Sequence, residues 1–411
     1  MPAETTSHRY RVPVLVLIVF MPFAGGFFLS YLFRSVNAII APQLAADLGL
    51  DPADLGFLTS VYFMTFAACQ LPLGVALDRF GPRRVQASLL MLAALGAFIF
   101  AIGADFQAVA IGRALIGIGV CGGLMASFKA ITLWFPARAW PVVNGCFLTM
   151  GGLGAMTATM PMEIILGYFG WREVFALLAG MTVIAGGLIF ISVPERTDRP
   201  PAAPLSEQIK GYLFIFRDRR FWSIVPFSIL AMSANFSIQG LWAGPWLRDV
   251  AGLDRDGVAQ GLFVLSAAMV VGSTLNGILA VWLARWGVPL LTVMVGLLGC
   301  FLTAQSLIVF QVVPDSLLPW IGFGFFANGT VLCFALLNRI FPLAYSGRVS
   351  TAINVLGFGM AFLWQFGIGS IIDLWPSTVD GYAAESYIYA FGAVMAAQLL
   401  ALVWFWISWR D

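Results

Sequence analysis

The chain is divided into long apolar stretches that are separated by short polar segments. An apolar stretch of about 20 residues is long enough to cross a bilayer as an α-helix, and within lipid a helix satisfies its own backbone hydrogen bonds. Only 10% of the 411 residues are charged, against about 25% in soluble domains. The sequence therefore predicts an all-α integral membrane protein. The twelve predicted transmembrane helices cover residues 12–40, 55–77, 85–102, 107–135, 142–166, 174–193, 221–247, 258–284, 288–312, 317–341, 349–374 and 386–408.

The distribution of Lys and Arg predicts how these helices are oriented. If the N-terminus lies inside, the inner loops carry about five times as many basic residues as the outer loops, which is the bias of cytoplasmic loops. We therefore expect both termini in the cytoplasm and the protein in a bacterial inner (plasma) membrane. The net charge is only +2, so no nucleic-acid partner is expected. The expected partners are the lipid bilayer and a small-molecule substrate, and a monomer is expected.

Cysteine and histidine usage excludes several kinds of site. The five cysteines all lie in apolar stretches without a Cys-x-x-Cys pair, and His8 is the only histidine. We interpret the cysteines as packing residues. Neither a histidine-based metal site nor a histidine-based catalytic triad is available, so no metal, no cofactor and no enzymatic activity are expected. Residues 1–11 precede a span that is too long for the apolar core of a signal peptide, so no cleavable signal peptide is expected.

The polar segment between the second and third predicted spans carries an ordered motif. It reads Gly-Val-Ala-Leu-Asp-Arg-Phe-Gly-Pro-Arg-Arg over residues 74–84, and Gly81 followed by Pro82 predicts a tight turn. A basic turn on the cytoplasmic side would explain the arginines, but not the order Gly, Asp, Arg, Gly. The pattern G-x-x-x-D-R-x-G-x-R-R between two membrane helices resembles the signature loop of the major facilitator superfamily of transporters.

This resemblance implies two six-helix bundles that are related as parallel repeats, with the substrate bound between them near the midplane. Short internal matches about half a chain apart agree with it: Asp-Leu-Gly-Leu-Asp at 47–51 recurs as Val-Ala-Gly-Leu-Asp at 250–254. The predicted domains are an N-terminal bundle (1–193), a cytoplasmic linker (194–220) and a C-terminal bundle (221–411). Within the linker, residues 205–216 are expected to form a short interfacial helix.

The resemblance also implies a gating role for the loop. In the family, the aspartate that matches Asp78 holds the two halves together in one state, through nearby basic groups and the N-terminus of a helix in the other half. A carboxylate is stabilised at a helix N-terminus. The corresponding loop of the second half, Ala-Arg-Trp-Gly at 284–287, has alanine in place of the aspartate, so any such contact is one-sided. The predicted gating residues are Gly74, Asp78, Arg79, Gly81, Arg83 and Arg84.

Arg34 lies well inside the first predicted span. Tyr31, Arg34 and Asn37 are three residues apart and share one helix face, and a membrane arginine usually faces a cavity or a partner. The arrangement resembles the first helix of the organic-anion and organophosphate branches of the superfamily, where a matching arginine binds the anion. The alternative is a structural arginine that pairs with a carboxylate such as Glu163.

Three further charged residues lie within spans. Arg113, followed by Gly117 and Gly119, resembles the fourth-helix motif R-x-x-x-G-x-G of the family and is assigned to coupling or structure, unless it snorkels to the outer surface. Lys129 is a candidate substrate ligand, or it snorkels to the inner surface. Glu163 is the best candidate for carrying a proton, because burial favours the protonated carboxyl group; the alternative is a solvated helix end.

These features predict a secondary active transporter that moves a small carboxylate-type organic anion by alternating access, coupled to protons. The seventh span has Asn235 and Gln239 where the organophosphate pattern has a second arginine, which disfavours phosphate monoesters. The alternative is proton-driven efflux of amphipathic drugs, although the fifth span lacks the Gly-Pro motif of drug antiporters. The predicted substrate-binding residues are Tyr31, Arg34, Asn37, Lys129, Asn235, Gln239, Trp242, Asn328, Asn354 and Gln365.

Overall fold

The computed structural model describes residues 12–136, 139–195, 205–342, 345–376 and 381–409, and the regular elements in these residues are helices. Ten of the described helices are long and apolar enough to cross a membrane. We label the segments that correspond to the predicted spans α1 to α12 and call the remaining one the linker helix. They are α1 (Pro13–Ser35, continued by Asn37–Leu48), α2 and α3 (the two parts of Pro52–Ile102), α4 (Phe106–Trp134), α5 (Trp140–Thr157, then Met160–Leu166), α6 (Trp171–Ser192), the linker helix (Leu205–Arg217), α7 (Arg219–Asp249), α8 (Arg255–Arg285), α9 (Leu290–Val309), α10 (Leu318–Ile340), α11 (Ser346–Ile372) and α12 (Ala384–Ser408).

The turn between α2 and α3 consists of very few residues. Gly81 has φ 79° and ψ 163°, a conformation that glycine adopts without the steric penalty of a side chain. Pro82 follows at the start of α3, where a missing backbone N–H costs no helical hydrogen bond. The Gly-Pro pair therefore makes the tight turn that the sequence predicts, and it holds the polar motif residues close to both helix ends.

The two halves repeat the same local structure at matched positions. Gly49 and Gly252 both have a positive φ, 64° and 66°; Gly49 ends its helix as a left-handed cap, and Gly252 lies in the turn that follows the helix ending at Asp249. Asp51 and Asp254 then cap the next helix, accepting backbone hydrogen bonds of 2.6 Å from Asp54 and 2.9 Å from Gly257. The internal repeat seen in the sequence is thus a repeat of turn and cap geometry.

Small residues let α4 pack closely on its neighbours in the first half. A Cβ atom at Gly112 would lie 2.7 Å from the backbone nitrogen of Phe100 on α3, and one at Gly117 would lie 2.6 Å from the carbonyl oxygen of Tyr62 on α2. Glycine at membrane helix contacts permits this backbone approach. The packing places Arg113 of α4 inside the first half, next to Tyr62.

Contacts between the halves are concentrated at one end of the molecule, which we call the Glu163 end. There α2 and α11 approach so closely that a Cβ atom at Gly56 would lie 2.8 Å from the carbonyl oxygen of Gln365. The rings of Phe57 and Phe366 are 6.0 Å apart, and Glu163 of α5 forms an ion pair with Arg255 at the start of α8. The molecule is therefore closed at this end.

The opposite end, which carries the predicted gating loop, is called the Asp78 end. Here the hydrogen bonds and ion pairs of Asp78, Arg83 and Arg84 within the described residues are formed with the first half or with Glu195 at the start of the linker. The linker helix packs on the beginning of α11, with the rings of Phe214 and Tyr345 5.1 Å apart. The helix predicted in the linker is present, while the exact domain boundaries stay a prediction because residues 196–204 lie outside the described part of the chain.

Candidate functional site

Arg34 is enclosed by aromatic rings at the contact between the two halves. Its side chain is only 7% exposed, and its guanidinium carbon lies 4.5 Å from the ring centroid of Tyr31, 5.0 Å from Phe236, 5.2 Å from Phe358 and 5.7 Å from Phe66. Distances below about 6 Å allow cation–π attraction. These four rings, which we call the aromatic cage, belong to α1, α7, α11 and α2. Both halves therefore contribute to the surroundings of Arg34.

The cage does not satisfy the hydrogen-bonding capacity of Arg34. The buried Nε atom has no hydrogen-bond partner, and no carboxylate among the described residues lies within ion-pair distance of the guanidinium group. The hydroxyl groups of Tyr31 and Tyr62 lie near the guanidinium group, but a buried charge without a carboxylate partner is still costly. A guanidinium group offers a planar pair of donors that a carboxylate accepts with two hydrogen bonds, so the site is complementary to an anion.

Arg113 supplies a second positive charge beside this site. It is fully buried, so it does not snorkel to the surface. Its Nη1 donates a 2.9 Å hydrogen bond to the carbonyl oxygen of Phe33, and its guanidinium carbon lies 4.7 Å from the ring centroid of Tyr62. The Nε and Nη2 atoms have no partner. Arg34 and Arg113 together make this interior positive, which favours anions.

Two of the predicted polar ligands, both amides, are already hydrogen-bonded within the protein. Asn37 donates a 3.0 Å bond to the Thr59 hydroxyl group, and Gln239 donates a 3.3 Å bond to the Ser266 hydroxyl group. These bonds connect α1 to α2 and α7 to α8. In this state the two amides contribute mainly to helix contacts.

Four other predicted ligands differ in their burial and in their hydrogen bonds. Trp242 is buried and donates a 3.3 Å bond to the carbonyl oxygen of Gln365, while the side-chain amide of Gln365 has no partner. Asn235 adjoins Phe236 of the cage, and its buried Oδ1 atom is also unpaired. Asn354 is half-buried, one helical turn before Phe358 of the cage.

Two of the predicted ligands are engaged elsewhere. Asn328 donates a 2.8 Å bond to the carbonyl oxygen of Met269 and so connects α10 to α8. Lys129 lies at the Asp78 end, where its Nζ is 2.5 Å from the Asp78 carboxylate and 3.0 Å from the carbonyl oxygen of Leu77. The structure therefore groups Lys129 with the gating loop rather than with Arg34.

The arginines of the gating loop bind it to the end of α6 and to the start of the linker. Arg83 donates a 2.8 Å bond to the carbonyl oxygen of Phe190 at the end of α6, and Arg84 forms a 2.8 Å ion pair with Glu195. Gly74 is exposed, with open space around the position of a Cβ atom. The guanidinium carbon of Arg79 lies 5.4 Å from the ring of Phe80. The loop is thus a compact element of the first half.

Glu163 does not pair with Arg34. Its carboxylate meets Arg255, so the alternative in which Arg34 neutralises Glu163 is not found. The pair joins α5 to the beginning of α8 and therefore bridges the two halves at the closed end. The side chain of Glu163 is only 10% exposed, whereas that of Arg255 is 55% exposed. The proton-carrying role of Glu163 stays a prediction.

The sequence did not reveal the rings of the cage. Phe66, Phe236 and Phe358 are three of 36 phenylalanines in a chain that is 60% hydrophobic, and phenylalanine is an ordinary residue in membrane helices. A single sequence contains no signal that separates a phenylalanine between the halves from one that faces lipid. Arg255 was also missed, because it lies in a predicted outer loop where a solvated arginine is expected.

Known membrane transporters are similar to this chain in sequence. The sequence matches the family description "Major Facilitator Superfamily" over residues 23–365. It is 24% identical to the "Probable sulfoacetate transporter SauU" of Cupriavidus necator over 274 residues, a stretch that spans 62% of this chain and 62% of that protein. It is 23% identical to the "Probable galactarate/D-glucarate transporter GudP" of Escherichia coli K12, over 97% of this chain and 94% of that protein.

The fold has a clear counterpart among solved structures. A bacterial homolog of the human lysosomal transporter Spinster, in an inward-facing and unoccupied conformation, superposes with a TM-score of 0.75 at 14% identity, over 97% of this chain and 98% of that one. This likeness concerns the fold alone. Since the family match covers well over half of the chain and the helices suit a multi-pass membrane protein, the chain belongs to the Major Facilitator Superfamily of transporters.

Proposed function

We propose that the protein moves a small carboxylate-type organic anion across the membrane by alternating access, with Arg34 as its principal anion ligand. The observation that carries the proposal is the buried Nε of Arg34 without a partner, between rings of both halves. A bound carboxylate supplies an acceptor for this Nε atom. Because rings of both halves surround Arg34, a ligand bound there contacts both halves, as alternating access requires.

Arg113 has a supporting role in this proposal. It is bonded to the backbone of α1 through the carbonyl oxygen of Phe33 and is covered by Tyr62. It contributes positive potential beside Arg34, and its Nε and Nη2 atoms stay unpaired. A fixed charge in a region of low dielectric acts over several ångströms with little screening.

The printed names of the two relatives support an organic anion, because sulfoacetate and galactarate or D-glucarate are all organic anions. Neither relative is named as a drug exporter, so the efflux alternative gains no support. Proton coupling is the finer part of the prediction and depends on Glu163. We retain it as a hypothesis, in which Glu163 takes up a proton when its bond to Arg255 opens.

In an alternating-access cycle, one end of the molecule is closed while the other is open. The ion pair of Glu163 with Arg255 and the contact of α2 with α11 close one end. At the other end Asp78 is half exposed and paired with Lys129 of its own half. We propose that closure of the Asp78 end transfers the Asp78 carboxylate from Lys129 to a helix N-terminus of the second half, where it is stabilised by the helix dipole.

The test is a pair of substitutions at Arg34 in protein purified in detergent. Carboxylates that raise the melting temperature by mass action are first selected on the wild type. Arg34→Ala removes charge-assisted hydrogen bonds worth about 1.5–3 kcal/mol each, so affinity is expected to fall at least about tenfold. Arg34→Lys keeps the charge but loses the planar fork, so its affinity is expected to lie in between.

Two further variants separate binding from stability. Arg285→Ala, at the exposed end of α8, is the matched control and is expected to bind as the wild type does. The double variant Arg34→Ala with Glu163→Gln is not expected to recover binding, since Glu163 pairs with Arg255. Unchanged affinity in Arg34→Ala, or full recovery in the double variant, would refute the role of Arg34.

A further inference from the structure

One face of the linker helix is exposed and carries a positive charge at each end. Lys210, Leu213, Phe214 and Arg217 follow one another at short helical spacings, so they share this face. Leu213 and Phe214 are each 47% exposed, and Lys210 and Arg217 are exposed as well. Together with Asp218, these four residues line an open cavity of about 370 Å³. We call this surface the linker face.

The opposite side of the linker helix is fixed to the protein. Ile215 is fully buried, and a Cβ atom at Gly211 would lie 2.7 Å from the Cδ atom of Arg348 on α11. The ring of Phe214 also lies 5.1 Å from that of Tyr345, at the start of α11. The fold therefore holds the helix in one orientation, with the linker face outward.

The positive charge of the linker face is not neutralised within the described residues. Residues 210–220 contain four basic residues and one acidic residue. The acidic residue, Asp218, is paired with Arg220 over 2.8 Å. Neither Lys210 nor Arg217 forms an ion pair with a described carboxylate. A surface with this surplus of cations attracts anions.

Two tryptophans mark the level of the linker helix in the membrane. The indole of Trp222, in the first turn of α7, donates a 2.7 Å bond to the carbonyl oxygen of Phe216 in the linker helix. The indole of Trp404 on α12 donates a 2.8 Å bond to the carbonyl oxygen of Trp222. The two residues are 40% and 50% exposed, and exposed tryptophan is enriched at the headgroup level of membrane proteins. The linker face therefore lies where lipid headgroups are found.

We propose that the linker face binds the headgroup of an anionic phospholipid. Lys210 and Arg217 contact the oxygens of the headgroup, while Leu213 and Phe214 pack against the glycerol and the first methylene groups. A zwitterionic lipid carries a cation beside its phosphate, which the basic surface repels. The predicted orientation places this surface at the cytoplasmic leaflet, where anionic lipids make the surface potential negative. The proposal is independent of the transported substrate.

The experiment measures lipid binding to the purified protein in detergent by native mass spectrometry. Phosphatidylglycerol and phosphatidylcholine with the same acyl chains are the two probes, and phosphatidylglycerol is expected to bind at least several-fold more tightly. Lys210→Gln and Arg217→Gln each remove one cation and are each expected to weaken phosphatidylglycerol about fivefold, and the double variant about 25-fold. Binding of phosphatidylcholine is expected to stay unchanged.

Three further variants separate the linker face from general effects of charge and folding. Arg285→Gln removes an exposed positive charge at the same end of the molecule and is expected to bind phosphatidylglycerol as the wild type does. Lys210→Arg combined with Arg217→Lys keeps both cations and is expected to retain binding. Leu213→Ser removes an apolar contact and is expected to weaken phosphatidylglycerol several-fold, because only a lipid uses that contact.

The outcomes decide between a lipid site and simpler explanations. Equal binding of the two lipids, or unchanged binding of phosphatidylglycerol in the double glutamine variant, would overturn the proposal. An equal loss in Arg285→Gln would show that net charge alone attracts the lipid, and would overturn it too. Inorganic phosphate that displaces phosphatidylglycerol at equal concentration would identify a site for free anions instead of a lipid site.

Discussion

At the scale of single residues, charge within an apolar stretch was the informative signal. Arg34 and Arg113 were identified from the sequence because a buried arginine is rare and costly, and both are buried in the structure. The phenylalanines that surround Arg34 are chemically ordinary, so their role depends on which helices meet, and that is set by the tertiary fold. The pairing of Lys129 with Asp78 was missed because the partners are 51 residues apart and belong to different helices.

Loss of the Asp78 charge is expected to impair transport without impairing assembly. The Asp78 and Lys129 side chains are half and about one-third exposed, and an exposed ion pair contributes at most about 1 kcal/mol to stability. Asp78→Asn should therefore insert normally, while uptake falls at least about tenfold, equal to about 1.4 kcal/mol. Uptake and membrane abundance are measured together, with Arg285→Gln in the matching loop of the second half as control. Wild-type uptake by Asp78→Asn would exclude a gating role.

Asp47 is expected to make stability depend on acid pH. The Trp171 indole and the Arg172 guanidinium donate bonds of 2.8 and 2.7 Å to its carboxylate, and these bonds hold the pKa of Asp47 below its usual value. A lowered pKa in the folded state gives stability that is present above the unfolded value of about 3.9 and is lost as the pH falls through the folded value.

The measurement is the melting temperature in detergent between pH 7 and pH 3. Asp47→Asn should melt below the wild type at pH 7, and the difference should vanish towards pH 3. The exposed Asp315→Asn is the control and should follow the wild type throughout. A difference between Asp47→Asn and the wild type that persists unchanged at pH 3 would contradict this assignment.

At the scale of helices, hydropathy predicted most of the spans. The ends of the helices, however, are set by capping residues that hydropathy does not detect. The second span was predicted to begin at residue 55, because Asp51 and Asp54 are charged; the helix begins at Pro52, since Asp51 is its N-cap. The first span was predicted to end at residue 40, before a proline. The helix continues to Leu48 and ends at Gly49, because packing against α7 outweighs the single hydrogen bond that proline removes.

The contact of α2 with α11 predicts how the conformational equilibrium can be shifted. A Cβ atom at Gly369 would collide with the carbonyl oxygen of Pro52, and backbone at such a contact cannot move aside as a flexible side chain can. Gly369→Ala is therefore expected to favour the state that is open at the Glu163 end. Gly367→Ala on the same helix is the matched control, because nothing lies within 4 Å of its Cβ position.

The readout is the reaction of a cysteine at Phe366 with a membrane-impermeant thiol reagent, in a background without the native cysteines. Gly369→Ala should raise the labelling rate several-fold, whereas Gly367→Ala should leave it unchanged. Equal rates in the two variants would show that the close approach does not control closure.

At the scale of the whole molecule, the motif of residues 74–84 and the internal repeat were sufficient to predict the family and the all-helical fold, which the family match confirms. The closed end was not predictable, because the same sequence must adopt both states of an alternating-access cycle. The observed contacts of α2 with α11 and of Glu163 with Arg255 identify which end is closed here.

The predicted orientation can be tested by labelling from either side of the membrane. Basic residues favour the cytoplasmic side, so a cysteine introduced at Ser206 of the linker helix should react only with reagent on the cytoplasmic side. One at Asp380, outside the described residues, should react only from the opposite side. Both are measured in intact cells and inverted vesicles, and the reverse pattern would overturn the orientation.

The buried arginines come from one half of the chain and the rings of the aromatic cage from both, and this has a consequence for how specificity can change. Among the described residues, the buried arginines Arg34 and Arg113 belong to the first half, whereas Phe236 and Phe358 belong to the second. Recombination that exchanges second halves between related carriers should therefore produce chimeras that still select anions but prefer bodies of a different shape. Charge selection would be inherited with the first half of the gene, whereas shape selection would depend on rings from both halves.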